Sequence, residues 1–137
     1  MSTSTPVPSA APSDDSQCPC LSGETYGNCC GRFHSGAAAA PTAEALMRSR
    51  YSAFATGNVP YLLATWHPDH RPAHLELDPE IEWRRLDILS TSGGGPLERT
   101  GTVEFRAHYR VDGRRDVQQE NSSFVRERGQ WLYVDGR

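Results

Sequence analysis

Four cysteines carry the most specific chemistry in this chain. Cys18, Cys20, Cys29 and Cys30 fall within thirteen positions, and no other cysteine occurs. Two closely spaced ligands, an eight-residue excursion and two more ligands is the layout of a small tetrahedral zinc site. Four thiolates would complete the coordination of Zn²⁺, so such a site is structural rather than catalytic. The segment has no apolar core of its own, so metal binding would supply its folding free energy, on the order of 10 kcal/mol. Ser22-Gly23 offers the turn between the ligand pairs, and Tyr26 is the large side chain available to pack on it. His34, four residues beyond Cys30, is an alternative fourth ligand. Two other readings compete. Four unconnected buried thiols would need apolar surroundings that these residues lack. A dithiol redox site would need strained vicinal pairing at Cys29-Cys30 and a cation to lower a thiol pKa, and no basic residue precedes Arg32.

Three further groups have the residue types for binding or acid–base work. His67, His70 and His74, with Asp69, form a loop cluster, but Pro68 and Pro72 prevent a one-face helical arrangement, and a solvated loop accounts for it. Arg50 falls beside an apolar stripe of Leu46, Met47 and Phe54. It either pairs with a carboxylate such as Glu120 or faces a pocket and grips an anion. Glu104, Arg106, His108 and Arg110 alternate along residues 101–111. They are either the solvated side of a strand or a concave lining in which His108 and an acid act as a base. Trp66, Trp83 and Trp131 are core or pocket wall. The candidate pocket set is therefore Arg50, Tyr51, Trp66, His67, Trp83, His108, Glu120 and Trp131. Gly93-Gly94-Gly95 lacks the strand–loop–helix setting and the lysine of a phosphate loop.

The elements that must hold these groups follow from periodicity. Residues 1–17 are Ser, Thr, Pro, Ala and Asp with one Val, which predicts a disordered tail. Thr42 should cap a helix whose face is Ala43, Leu46, Met47, Tyr51, Phe54 and Ala55, ended by Gly57-Asn58. A shorter helix is expected over Pro60–Trp66, then a proline-rich loop. A strand, with room for a bulge, is expected over 81–89, then a loop over Ser90–Pro96. Residues 101–111 alternate almost strictly as a half-buried strand. Asp112-Gly113 predicts a hairpin, and 117–126 and 130–135 predict two strands around Arg128-Gly129. Helices first, then an antiparallel meander, is an α+β order with helices on one face of a sheet.

Composition narrows the function classes. All 14 basic residues are Arg, which excludes any lysine chemistry. No apolar run approaches the roughly 18 residues of a membrane span. The N-terminus lacks the basic start and apolar run of a secretory signal, so the expected setting is the reducing cytoplasm. Residues 1–30 carry three acids and no basic side chain, which disfavours nucleic-acid binding through the cysteine segment.

The stretch CPCLSGETYGNCC resembles the SEC-C motif, a zinc-binding element found at the C-terminus of the translocation motor SecA and in many small bacterial proteins. Position 21 is Leu where such motifs usually have Gly. The run CCGRFH (29–34), PTAEALMRSRYSAF (41–54), TWHP (65–68) and FVRERGQWLYVDG (124–136) together resemble the YchJ-like bacterial family. The resemblance implies a SEC-C zinc element at 18–36. It also implies a cone-shaped α+β domain of the nuclear-transport-factor-2-like type at 37–137, with helices against a curved antiparallel sheet. Its zinc ligands would be Cys18, Cys20, Cys29 and Cys30. The expected function is a non-catalytic module that meets a protein partner through the zinc element or a small ligand in the cone. The alternative is a small cone-fold isomerase, dehydratase or hydrolase using a His–carboxylate pair.

Overall fold

The computed structural model describes residues 12–137. A 3₁₀ turn (Tyr26–Asn28) leads into helices α1 (Cys30–His34), α2 (Ala43–Thr56) and α3 (Val59–Ala64). Four strands follow: β1 (Glu82–Gly93), β2 (Thr100–Val111), β3 (Arg114–Glu127) and β4 (Gln130–Gly136). They form one antiparallel meander in the order β1-β2-β3-β4. Among the described residues no helix is long and apolar enough to cross a membrane.

Helix α2 starts where a side chain satisfies its free N–H groups. The Thr42 hydroxyl accepts from Ala45 N at 3.0 Å, and Glu44 sits in the positive first turn. Gly57, at φ 74°, takes the left-handed position that stops it. Asn58 then caps α3 by accepting from Tyr61 N at 3.2 Å. This second helix begins one residue before Pro60 and ends at Ala64 rather than at Trp66. Residues 65–67 leave the helix to pair with β4: Tyr133 N donates to Thr65 O, and His67 N to Tyr133 O, each at 2.8 Å. A strand partner thus takes backbone groups that helix continuation would have used.

Strand β1 runs to Gly93, past the expected loop start at Ser90. Two bulges, at Trp83/Arg85 and Ile88/Ser90, reset its register so that Ser92 and Gly93 still pair with Thr102 and Gly101. The glycines there serve close approach. A Cβ on Gly101 would come within 2.5 Å of Gly94 Cα, and Gly94 O accepts from Ala43 N at 3.0 Å, tying the loop to the start of α2. Both hairpin turns use paired positive φ values, at Asp112 and Gly113 and at Arg128 and Gly129. Strand β3 begins at Arg114, three residues before the expected Val117, because its whole N-terminal half pairs with β2.

On β2, Val103, Phe105 and Ala107 are buried while Arg106 is exposed, as alternation requires. They meet Leu46, Met47 and Tyr51 of α2, with Phe124 and Trp131 from β3 and β4. Helix α2 is buried on more than this stripe. Ser49, Ser52 and Ala53 are fully buried, whereas Ala55 is exposed. The reason is a second neighbour: the cysteine segment packs on the other side of α2.

That segment is not a detached appendage. Cys18, Cys20, Tyr26, Cys30 and Phe33 belong to the same continuous core as the sheet. It also starts before Cys18. Tyr26 N donates to Ser16 O at 2.7 Å, Gly27 N donates to Asp14 O at 3.0 Å, and Gln17 bridges Thr25. Residues 14–17 of the expected disordered tail are therefore tied down, because their backbone closes the cysteine loop. Residues 1–11 of that tail lie outside the described residues.

Candidate metal centre and ligand cavity

The four cysteine sulfurs lie within 4.8 Å of one another. Cys20 and Cys29 Sγ are 3.6 Å apart, and Cys29 and Cys30 Sγ 4.0 Å. All four are free thiols, so neither pair forms a disulfide. A tetrahedral ion with bonds of about 2.3 Å to sulfur has sulfur–sulfur edges of about 3.8 Å. The cluster matches that figure, and the donor set fits a thiophilic divalent ion. Cys18, Cys20 and Cys30 are at most 1% exposed. Their titration reflects mutual crowding. Hydrogen bonds from the neighbouring Cys20 and Cys30 thiols push Cys18 down, whereas the bond to Cys18 pushes Cys20 up to about 11 and raises Cys30 as well. A divalent ion among four thiolates would leave the centre with a formal charge of −2, so it would offset half of their charge.

Two elements position the sulfurs. The 3₁₀ turn and α1 place Cys29 and Cys30, and the turn after Cys18 places Cys20. Helix α2 adds a hydroxyl that residue type alone did not single out. Ser52 Oγ donates to Cys30 Sγ at 3.2 Å and lies 3.6 Å from Cys18 Sγ. Ser49 is the parallel case one turn earlier: its hydroxyl donates to Leu46 O and meets Tyr61 OH at 2.7 Å. The signal was present in the sequence as two serines three apart on the helix that also carries the apolar stripe.

His34 stands outside the sulfur cluster, with both ring nitrogens engaged. Nε2 lies 2.8 Å from Ser49 O, a pure acceptor, so Nε2 carries the proton; Nδ1 then accepts from Tyr26 OH at 2.6 Å. The ring is neutral, and burial pushes its pKa down. Its role in this geometry is to lock the segment onto α2.

Leu21 has φ 59° and is 44% exposed. It occupies the left-handed conformation that favours glycine. Leu21→Gly is expected to raise stability by about 0.5–1 kcal/mol, the relieved backbone cost less the added chain entropy of glycine. A denaturant midpoint that stays level or falls would contradict this.

A second site lies between α2 and the inner face of the sheet. It is a cavity of about 180 Å³ with Met47, Tyr51, Phe54, Trp83, Phe105 and Ala107 as apolar wall. Arg50 reaches it from α2 and is only 3% exposed. One nitrogen, Nη1, donates to Leu62 O at 2.8 Å and Thr65 Oγ1 at 2.7 Å, the C-terminal end of α3, where a cation is favoured. The guanidinium carbon lies 4.5 Å from the Tyr133 ring centroid and 5.2 Å from that of Trp66. Burial lowers the Arg50 pKa to about 10, so it stays charged at neutral pH.

The expected Arg50–Glu120 ion pair is not made. Glu120 shares the cavity, but its carboxylate accepts from Ser122 Oγ at 2.6 Å, Tyr133 OH at 3.3 Å and Gln118 Nε2 at 3.3 Å. Ser122 and Gln118 hold it from its own strand, so Glu120 has partners closer than Arg50.

Five of the eight candidate pocket residues, Arg50, Tyr51, Trp66, Trp83 and Glu120, line this cavity. Three do not. His108 points to the opposite face of β2, where Nε2 meets Asp87 Oδ2 at 2.9 Å beside Arg85. Strand alternation puts it there, since Phe105 and Ala107 face inward. His67 sits at the β4 junction and meets Glu127 at 3.0 Å. Trp131 is buried on β4, and its indole N–H donates to Pro41 O at 3.2 Å. His70 and His74 are exposed in the loop after α3.

A four-thiol knuckle seated on helices over an open antiparallel sheet defines a SEC-C protein of the NTF2-like class. Family models agree, with the SEC-C motif matched at residues 16–32 and the YchJ middle NTF2-like domain at residues 42–136. The chain belongs to the YchJ-like, UPF0225 family. It is 57% identical over 122 residues to a UPF0225 protein of Corynebacterium glutamicum, covering 88% of this chain and 95% of the relative. A UPF0225 protein of Streptomyces coelicolor is 56% identical over 119 residues, covering 87% and 93%. Among solved structures, the solution structure of a SEC-C motif containing protein from Rhodopseudomonas palustris matches with a TM-score of 0.76 at 35% identity, covering 88% of this chain and 96% of that one. The crystal structure of a SEC-C motif containing protein from Psychrobacter arcticus matches with 0.70 at 27% identity, covering 89% and 82%.

Proposed function

We propose that this chain is a non-catalytic module that binds a small ligand in the cavity between α2 and the sheet. In this reading Cys18, Cys20, Cys29 and Cys30 hold a structural Zn²⁺, which supplies no chemistry beyond bracing the fold. With four thiolates bound, the ion has no open position for substrate. The exposed turn at 21–24 is the surface through which the knuckle would meet a protein partner.

One observation carries the choice of binding over catalysis. The acid–base pairs and the cavity are on different surfaces. His108–Asp87 is on the outer face of the sheet and His67–Glu127 is at its edge, while no histidine lines the cavity among the described residues. Glu120, the acid inside, is held by hydroxyl and amide donors.

Mapping amide shifts of the zinc-loaded chain with a small neutral aromatic probe, benzyl alcohol, tests the reading. Shifts should centre on Met47, Phe105 and Tyr133 and persist in His108→Ala and His67→Ala. They should vanish in Ala107→Leu, which fills the cavity from β2. Shifts centred on Asp87 and His108 would overturn it.

A further inference from the structure

Two groups at one end of the cavity have unmet hydrogen-bonding capacity, and both are donors. The Trp66 indole N–H is buried without a partner. Arg50 bonds through Nη1 alone among the described residues, leaving Nε and Nη2 without an acceptor. A fully buried donor left unpaired costs about 1–3 kcal/mol, which is the position of the Trp66 N–H. Both residues line the same small space, with the guanidinium carbon 5.2 Å from the indole ring centroid.

We infer that the ligand is a small monocarboxylic acid with a compact apolar body, its carboxylate taken by Arg50 and the Trp66 N–H. This rests on the reading of the cavity as a binding site and adds the ligand's chemical class. Charge decides the head group. A planar guanidinium with one edge free matches a carboxylate in two-point fashion. A phosphate or a dicarboxylate would bring a second negative charge into a space that already contains Glu120. An amine or a zwitterion would have to compete with Ser122, Tyr133 and Gln118 for the Glu120 oxygens and would bring a second cation beside Arg50. Volume decides the body. A cavity of about 150 Å³ accommodates a benzene ring, so the 180 Å³ here suits one ring or a short branched chain plus its carboxylate. The wall of Phe54, Trp83 and Phe105 suits an apolar group.

The test uses the zinc-loaded full chain and four probes: benzoate, 4-methylpentanoate, benzamide and benzylamine, titrated by calorimetry and amide shifts. Benzoate and 4-methylpentanoate should bind at least about tenfold more tightly than benzamide, as a site built for a charged acceptor rejects the neutral isostere. Benzylamine should not bind. Arg50→Lys, which keeps the charge and loses the fork, should weaken benzoate about tenfold. Trp66→Phe keeps the ring and removes the N–H; it should weaken benzoate several-fold and leave benzamide unchanged. The Trp66 variant keeps the question decidable if the Arg50 variant fails to fold. Benzamide or benzylamine binding as tightly as benzoate would overturn the carboxylate assignment while leaving the cavity reading intact. Undiminished benzoate binding by Ala107→Leu would put the acid elsewhere and overturn this inference. No response to any probe, benzyl alcohol included, would overturn both.

Discussion

Cys18→Ser is expected to release the metal, unfold residues 12–36 and destabilise the whole domain. The native chain should hold one zinc by elemental analysis, and the variant a substoichiometric amount. The effect reaches beyond the knuckle because the core is shared. Cys18 is fully buried, and Tyr26 and Phe33 pack in the same cluster as Leu46 and Trp131. Zinc in a small thiolate site contributes on the order of 10 kcal/mol to folding. Part of that is recovered here by packing on α2, so a loss of at least about 4 kcal/mol, or ~15 °C in Tm, is the expected outcome. Chelation at neutral pH should reproduce it, and restoring zinc should reverse it in the native chain alone. A variant that melts with the native Tm, or a native chain that folds fully without metal, would remove zinc from this account.

The second large effect is expected at His34. His34→Ala removes one ring that satisfies two buried groups, Tyr26 OH and Ser49 O. Each orphan costs about 1–3 kcal/mol, so the substitution should cost about 3 kcal/mol in denaturant unfolding at pH 7.5. The pH dependence carries a sign. Burial holds the folded His34 neutral, with its pKa below the ordinary value. As pH falls below about 6.5 the unfolded chain takes up a proton that the fold refuses. Stability from this group is therefore complete above that value and is lost as pH falls toward the folded pKa. Zinc release also weakens the protein in acid, so the informative quantity is the difference between native and variant, which should shrink from pH 7.5 to pH 5.5. A constant difference would show that His34 does not titrate with unfolding.

Much of the architecture was legible because it depends on local signals. Thr42, Gly57 and Asn58 mark helix ends through their own side chains or absence of one, and Asp112-Gly113 marks a hairpin through its backbone preference. Alternation along 101–111 assigned Phe105 and Ala107 to the core and left the face of His108 open; the structure turns that face outward. The misses share a cause. Ser90–Gly93 reads as a loop because it runs into Gly93-Gly94-Gly95 and Pro96, yet a bulge keeps it paired with β2. Trp66 reads as the end of a helix, yet β4 takes Thr65 O and His67 N on either side of it. Residues 14–17 read as tail, yet they complete the cysteine loop. In each case a partner distant in the chain outweighed the local preference.

Residue type and spacing alone set the four thiols, the order of helices before strands, and the exclusion of lysine chemistry. These are properties of residue type and period, which need no knowledge of what packs where. Packing in three dimensions settled that the four sulfurs meet with Ser52 behind them, that His34 braces α2 instead of joining them, and that Glu120 makes no ion pair with Arg50. Those outcomes turn on which buried polar group finds the nearer partner. Burial makes an unmet donor or acceptor costly, and distance in space, not distance in sequence, settles which ones are met.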